Sequence, residues 1–124
     1  MVYFSGIIDN VSRRNTWVGL GSTSPNTFDG RIVVPAGGTI KNLYVAVNGG
    51  VHSQAVPVSF TVYKGSTATS LTCTVSSGFV NRCSDTVGSH AFGISAGDTL
   101  TLRMAATNDV SIGTRINAAV VLGP

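Results

Sequence analysis

Apolar and polar residues alternate strictly in the segment Val58-Ser59-Phe60-Thr61-Val62-Tyr63. Because successive side chains of a β-strand point to opposite faces, this pattern predicts a strand that buries one face and exposes the other. The turn Tyr63-Lys64-Gly65-Ser66 follows at once, and its glycine suits the positive φ of a tight hairpin. Leu71-Thr72-Cys73-Thr74-Val75 alternates in the same way. The region is therefore predicted to be a β-hairpin.

The same alternation occurs on both sides of this hairpin, in Asn42-Leu43-Tyr44-Val45-Ala46-Val47 and in Thr99-Leu100-Thr101-Leu102-Arg103-Met104. No segment has the apolar 3.6-residue period and the start and stop signals of a helix. The chain also has no glutamate, a residue common on exposed helix faces. We therefore predict an all-β protein with eight to ten strands.

The length of 124 residues fits one domain, which we expect to span residues 1–124. Many short strands with glycine-rich connections favour a sandwich or a barrel. An immunoglobulin sandwich would place a tryptophan between two widely spaced cysteines, whereas Trp17 precedes Cys73 and Cys83, which are one hairpin apart. An antiparallel two-sheet jelly-roll sandwich is the better fit.

Three segments are apolar on both strand phases: Val2–Ile8, Ile32–Val34 and Ala118–Val121. A sandwich of this size buries about two thirds of its extended surface and needs only one apolar face per strand. Only 10% of the residues are charged, so little charge is left to keep an apolar surface soluble. The composition thus predicts self-association, as a dimer or as a larger cyclic assembly.

Cys73 and Cys83 lie in two strand-like pieces that folding would bring side by side. They form either a disulfide, which implies an oxidising final environment, or two buried thiols. A zinc site is disfavoured because no pair of histidines lies nearby, and we expect no metal and no cofactor.

The net charge of +3 comes from scattered cations, with a single doublet at Arg13-Arg14. Nucleic-acid binding needs several cations on one stripe, so we do not expect it. No apolar run approaches the ~20 residues of a membrane helix, and the first residues lack the pattern of a secretory signal. We expect no membrane association.

Catalytic motifs are absent from the sequence, and we predict no enzymatic activity. His52 and His90 are the two histidines, and neither lies in a nucleophile-elbow pattern. We interpret the five aspartates as turn formers. The aromatic residues Trp17, Tyr3, Tyr44 and Tyr63 suit either a protein interface or a sugar-stacking platform, and we favour the interface.

Four stretches together resemble the small jelly rolls of bacteriophage virions and related bacterial surface proteins, which are similar in layout to tumour necrosis factor-like domains. The stretches are Gly38–Val45, Val58–Gly65, Leu71–Val75 and Ala96–Leu102, and the resemblance spans about residues 36 to 122. It implies a non-enzymatic building or binding module, commonly a homotrimer.

We therefore predict a structural virion protein that decorates or cements a phage capsid, with itself and a major capsid or other shell protein as partners. Its expected location is the virion surface. The alternative is a receptor- or glycan-binding module of a phage fibre or bacterial surface. Residues 1–15 are predicted to form an attachment strand or arm. The predicted interface residues are Tyr3, Phe4, Ile7, Arg13, Arg14 and Trp17.

Overall fold

A computed structural model gives the fold and describes residues 1–7, 13–19, 23–24, 31–48, 57–75, 81–110 and 114–124, without the side chains of 13–14 and 107–110. These ranges contain one 3-10 helix, Gly88–His90, and the following strands: β1 (Val2–Ile7), β2 (Arg13–Val18), β3 (Thr23–Ser24), β4 (Ile32–Val33), β5 (Gly38–Asn48), β6 (Val58–Lys64), β7 (Thr67–Val75), β8 (Arg82–Asp85), β9 (Phe92–Ile94), β10 (Thr99–Val110) and β11 (Arg115–Gly123). Within the described part of the chain, no helix is long and apolar enough to span a membrane.

The strands form two antiparallel sheets that share one core. The first sheet has the order β1-β11-β5-β8, and β9 also pairs with β5. The second sheet has the order β3-β2-β10-β6-β7, and β4 also pairs with β10. The predicted antiparallel jelly-roll sandwich is confirmed. Its eight main strands make two layers of four, and the short β3, β4 and β9 extend these layers.

The core is built from the inward residues of the alternating segments. All twelve predicted inward residues of those segments are buried: Leu43, Val45, Val47, Val58, Phe60, Val62, Leu71, Cys73, Val75, Leu100, Leu102 and Met104. Phe4, Ile116 and Val120 add the contribution of β1 and β11. The alternation in the sequence therefore predicted the inner face of four strands correctly.

The apolar segment of β1 takes its orientation from β11. Phe4 lies opposite Ala118, and both are buried, with Phe4 only 1% exposed. Tyr3 and Ile7 are on the other phase and are exposed. The prediction that Phe4 contacts a partner is therefore wrong, because its side chain is enclosed in the core of its own subunit.

The predicted attachment segment, residues 1–15, is built into the sandwich where it is described. Residues Val2–Ile7 pair with β11 at six register positions, and Asn15 pairs with Ala105 of β10. Residues 8–12 lie outside the described part. Residues 2–7 are thus an edge strand and not an arm, while the attachment role of the segment stays a prediction.

A β-bulge in β5 decides which side chains of that strand face outward. Ile40 and Leu43 are both fully buried although they are three residues apart, which regular alternation does not allow. The pairing with β11 shifts register at this point, and Asn42 takes a φ of 57°. The extra residue keeps Ile40 and Leu43 inside and places Tyr44 on the outer face.

We predict that Asn42→Ala lowers the free energy of unfolding by about 1 kcal/mol, because a side chain with a Cβ and no local hydrogen-bonding group is disfavoured at positive φ. Asn42→Gly is expected to leave the stability nearly unchanged. Urea unfolding followed by the fluorescence of Trp17 measures both variants. An alanine variant as stable as the parent would contradict the role of the bulge.

Candidate functional site

The outer face of the first sheet carries two exposed tyrosines on either side of an alanine. Tyr3 of β1 lies opposite Ala119 of β11, Ala119 lies opposite Tyr44 of β5, and Tyr44 lies opposite Ser84 of β8. The four residues thus form a row across the sheet. Tyr3 and Tyr44 are 59% and 47% exposed, which is unusual for large aromatic residues on a sheet.

A second row lies beside the first and consists of Ser5, Asn117, Ala46 and Arg82. We call the outward side of these two rows the tyrosine face. Neighbouring strands are about 4.8 Å apart, so the strands that carry Tyr3 and Tyr44 are separated by about 10 Å. The small side chains of Ala46 and Ala119 leave an open groove of about 560 Å³ between and beside the rings. Its width suits one side chain of a partner.

The apolar surface continues past Tyr3 toward β4. The Tyr3 hydroxyl donates a hydrogen bond to the sulfur of Met1, at 3.2 Å, and Met1, Tyr3 and Val33 line a second shallow depression. Met1 and Val33 are 69% and 63% exposed. The sequence predicted surplus apolar residues on β1 and β4, and they lie next to the tyrosine face.

The outer face of the second sheet has a different chemistry. Its hydroxyl groups pair across the strands, Ser59 with Thr74 at 3.1 Å and Thr61 with Thr72 at 2.9 Å. These polar rows suit contact with water. The two outer faces therefore differ, and the tyrosine face is the better candidate for an interaction.

Trp17 lies on the outer face of the second sheet, away from the tyrosine face. Its ring packs edge-to-face on Tyr63, with centroids 4.8 Å apart, and the Arg103 guanidinium lies 5.6 Å from its centre. Arg103 also donates hydrogen bonds to the Tyr63 hydroxyl at 3.3 Å and to the Asn15 side-chain oxygen at 3.5 Å. The predicted interface residues Tyr3, Ile7 and Trp17 are thus on two sheets and do not form one surface.

The side chains of Arg13 and Arg14 lie outside the described part of the chain, although both residues belong to β2. Their predicted contact with a partner stays a prediction. His52 also lies outside the described residues.

A buried carboxylate lies where the edges of the two sheets meet. Asp85 of β8 is 5% exposed, and its Oδ2 accepts a hydrogen bond from the Thr72 backbone N–H of β7 at 3.0 Å. Its Oδ1 accepts one from the Val87 N–H at 3.1 Å. His90 Nδ1 lies 2.6 Å from Oδ2 and donates the third hydrogen bond, because a carboxylate can only accept.

These contacts set the pKa of Asp85. Burial raises the pKa of the Asp85 carboxyl, but the hydrogen bonds from Thr72, His90 and Val87 lower it by a larger amount. The net effect is a pKa below the ordinary value. The interpretation of Asp85 as a turn former holds for its bond to the Val87 N–H, two residues on, but it missed the bond to Thr72 of the other sheet. Asp98, in contrast, accepts the Ser95 N–H at 2.8 Å within a turn, as predicted.

His90 and Asp85 have the geometry of two members of a catalytic triad, but the third member is missing from the described residues. No serine or threonine hydroxyl of that part of the chain forms a hydrogen bond with His90. The bond from Thr72 to Asp85 joins the two sheet edges, and the predicted lack of enzymatic activity stays a prediction.

The two cysteines form a disulfide, with Cα atoms 5.7 Å apart. Cys73 belongs to β7 of the second sheet and Cys83 to β8 of the first. The bond therefore crosses between the sheets at the same edge as the Asp85–Thr72 hydrogen bond. Hairpin pairing is not what brings the cysteines together, since β7 pairs with β6 and β8 pairs with β5.

No protein-family model matches this chain, and no curated protein matches it. Among solved structures, the globular domain of the zebrafish complement 1qA protein is similar over 100% of both chains, with 11% sequence identity and a TM-score of 0.48. A likeness of this size says nothing about what the chain binds.

We predict that Asp85→Asn lowers the free energy of unfolding by about 2 kcal/mol at neutral pH, because the amide nitrogen cannot accept a hydrogen bond and leaves a buried donor group unpaired. Asp98→Asn is the matched control, since that carboxylate is partly exposed and its ion pair with Lys64, at 3.6 Å, contributes little. Urea unfolding measures both variants.

The same site predicts the behaviour in acid. A carboxylate with a lowered pKa in the folded state stabilises the fold above its unfolded pKa and loses this effect as the pH falls through the folded value. The parent should therefore lose stability below about pH 4, and Asp85→Asn should lose less. Equal losses in both proteins would contradict this assignment.

Proposed function

We propose that this protein is a non-enzymatic structural module that associates with copies of itself through the tyrosine face. The observation that carries the proposal is the pair of exposed tyrosines, Tyr3 and Tyr44, which lie on either side of Ala119 on the outer face of the first sheet. Tyrosine is enriched in protein interfaces, and the centre of an interface contains few charges. An exposed apolar patch of this kind marks a surface that another protein surface covers.

The groove gives such an interface its shape. A ring or branched side chain from a second copy can enter between Tyr3 and Tyr44 and rest on Ala119, which excludes water from both rings. Aromatic residues in such desolvated pockets supply most of the binding energy of an interface. Met1 and Val33, beside Tyr3, enlarge the apolar contact.

The distribution of charge supports contact through the centre of the face. Lys41, Arg82 and Arg115 are exposed around it, and the one carboxylate among the described residues of the first sheet, Asp85, is buried on the inner side. Copies that meet over the tyrosines keep their cations at the rim, where water screens the repulsion. Higher salt should therefore strengthen self-association, while it would weaken contact with an acidic partner.

The number of copies in the assembly is proposed from the resemblance to small virion jelly rolls, which implies a homotrimer. A contact between two different patches closes into a ring when the rotation fits, and the neighbouring groove and Met1–Val33 surface offer two such patches. The proposed ring has three copies.

The proposed role of the assembly is to decorate or cement a phage capsid or a similar shell. The support is the resemblance in strand pattern, together with a net charge of +3 that suits an acidic shell surface. Binding across subunit junctions would stabilise the shell by mass action, without covalent chemistry. The alternative, a glycan-binding module that uses Trp17, stays a prediction.

We predict that Tyr44→Arg converts the assembly to monomers at micromolar concentration, because it places a cation in the centre of the contact and removes an aromatic anchor. Sedimentation velocity measures the mass. Val87→Arg is the matched control, since Val87 is a large exposed apolar residue outside the tyrosine face. The control should retain the mass of the parent.

A parent protein that is monomeric at these concentrations would contradict the proposal, and so would a Tyr44→Arg variant with the mass of the parent. Dissociation of the parent assembly by added salt would also contradict the proposed contact, in which salt screens the repulsion between the cations of the copies.

The shell role predicts that the protein sediments with capsids of its cognate phage that lack decoration. Saturation should occur at a fixed number of copies per shell subunit, and bound shells should withstand higher temperature. The Tyr44→Arg variant should bind more weakly, because it loses multivalent contact. Protein that stays in the supernatant beside undecorated shells would remove the shell role and leave self-association standing.

A further inference from the structure

We propose that the Cys73–Cys83 disulfide positions β8 for assembly, so that association through the tyrosine face depends on the oxidation of these two cysteines. The inference rests on the proposed function and names how that same site is regulated.

The two faces of strand β8 have different surroundings: one contacts the second sheet and the other lines the groove. The strand is only four residues long, and its side chains alternate between the two sides of the first sheet. Cys83 and Asp85 point toward the second sheet, where they meet Cys73 and Thr72. Ser84 and Arg82 are on the opposite phase, are exposed, and line the groove of the tyrosine face.

Within the first sheet, β8 is held from one side only. It pairs with β5 at four positions, Leu43 to Ala46, and no other described strand pairs with it. Edge strands with so few pairs open more easily than the rest of a sheet. The disulfide and the Asp85–Thr72 hydrogen bond supply the missing restraint from the inner side.

Breaking the disulfide would also change the outer face of β8. When β8 shifts, the side chains of Arg82 and Ser84 move with it, and the wall of the groove beside Tyr44 loses its fixed position. A partner must then order these side chains on binding, which weakens association without changing any contact residue.

The redox step is a thiol–disulfide exchange with an external dithiol. The dithiol transfers two electrons and two protons, the bond between the two Sγ atoms breaks, and Cys73 and Cys83 become thiols while the reductant forms its own disulfide. Glutathione disulfide or another disulfide oxidant reverses the step. Assembly would thus be favoured in oxidising surroundings.

The test compares the dissociation concentration of the assembly with and without the disulfide, by sedimentation at several protein concentrations. Reduction with dithiothreitol, or Cys73→Ser combined with Cys83→Ser, should raise that concentration about tenfold, an effect of the size expected for one or two side chains that lose their preorganisation. The circular dichroism spectrum should stay that of a folded β-protein. Val62→Ala, a core substitution in the second sheet, is the control for a general loss of stability and should leave the dissociation concentration unchanged.

A second variant tests the outer face of β8 with the disulfide intact. Ser84→Arg, which adds bulk and charge to the wall of the groove beside Tyr44, should also raise the dissociation concentration, and association as tight as that of the parent would overturn the inference. It is likewise overturned if reduction of an oligomeric parent has no effect, or if Val62→Ala weakens association as much as reduction does. An oxidised parent that is monomeric overturns the proposed function itself, so the two failures can be distinguished.

Discussion

The pleat of the β-strand is the constraint on which the structure depends. Each long strand gives one row of side chains to the core and leaves the other row to water or to a partner. The inner rows of both sheets are mostly apolar, with Asp85 and Thr16 among the buried polar exceptions, and the two outer rows differ from each other. One outer face carries paired hydroxyl groups, as in Thr61 and Thr72, beside the Trp17–Tyr63 pair, and the other carries two exposed tyrosines on either side of Ala119. This asymmetry supports the proposal of an assembling module.

A buried carboxylate and a disulfide connect the two sheets at the edge where β7 and β8 meet. Asp85 is buried, but three hydrogen bonds satisfy its carboxylate, and the disulfide lies two residues away along β8. Of these three bonds, the one from Thr72 comes from the other sheet, so an arrangement of the two sheet edges without it loses a hydrogen bond to a buried carboxylate. The same strand carries groove residues on its outer side, and this joins the closure of the core to the proposed interface.

Local alternation was enough to predict the fold class and the inner face of four strands, because the strand period is a property of neighbouring residues. It failed where the orientation of a side chain depends on residues that are far away in the sequence. The bulge at Asn42 shifts the phase of β5, and the phase of β1, which buries Phe4 and exposes Tyr3, follows from pairing with Ala118. The role of Asp85 depends on Thr72, and Trp17 and Tyr3 belong to different sheets because of the order of the strands. Of the candidate site, the outward position of Tyr3 and Tyr44 could be predicted, and the groove between them could not.

The three tyrosines of the chain allow the most direct measurement, since Tyr3 and Tyr44 lie on the tyrosine face and Tyr63 lies on the other sheet. Hydroxyl-radical footprinting at high and low protein concentration reports the exposure of each ring. We expect Tyr3 and Tyr44 to become protected as the concentration rises, while Tyr63 keeps the same reactivity. Unchanged reactivity of Tyr44, or protection of Tyr63 alone, would contradict the proposed interface.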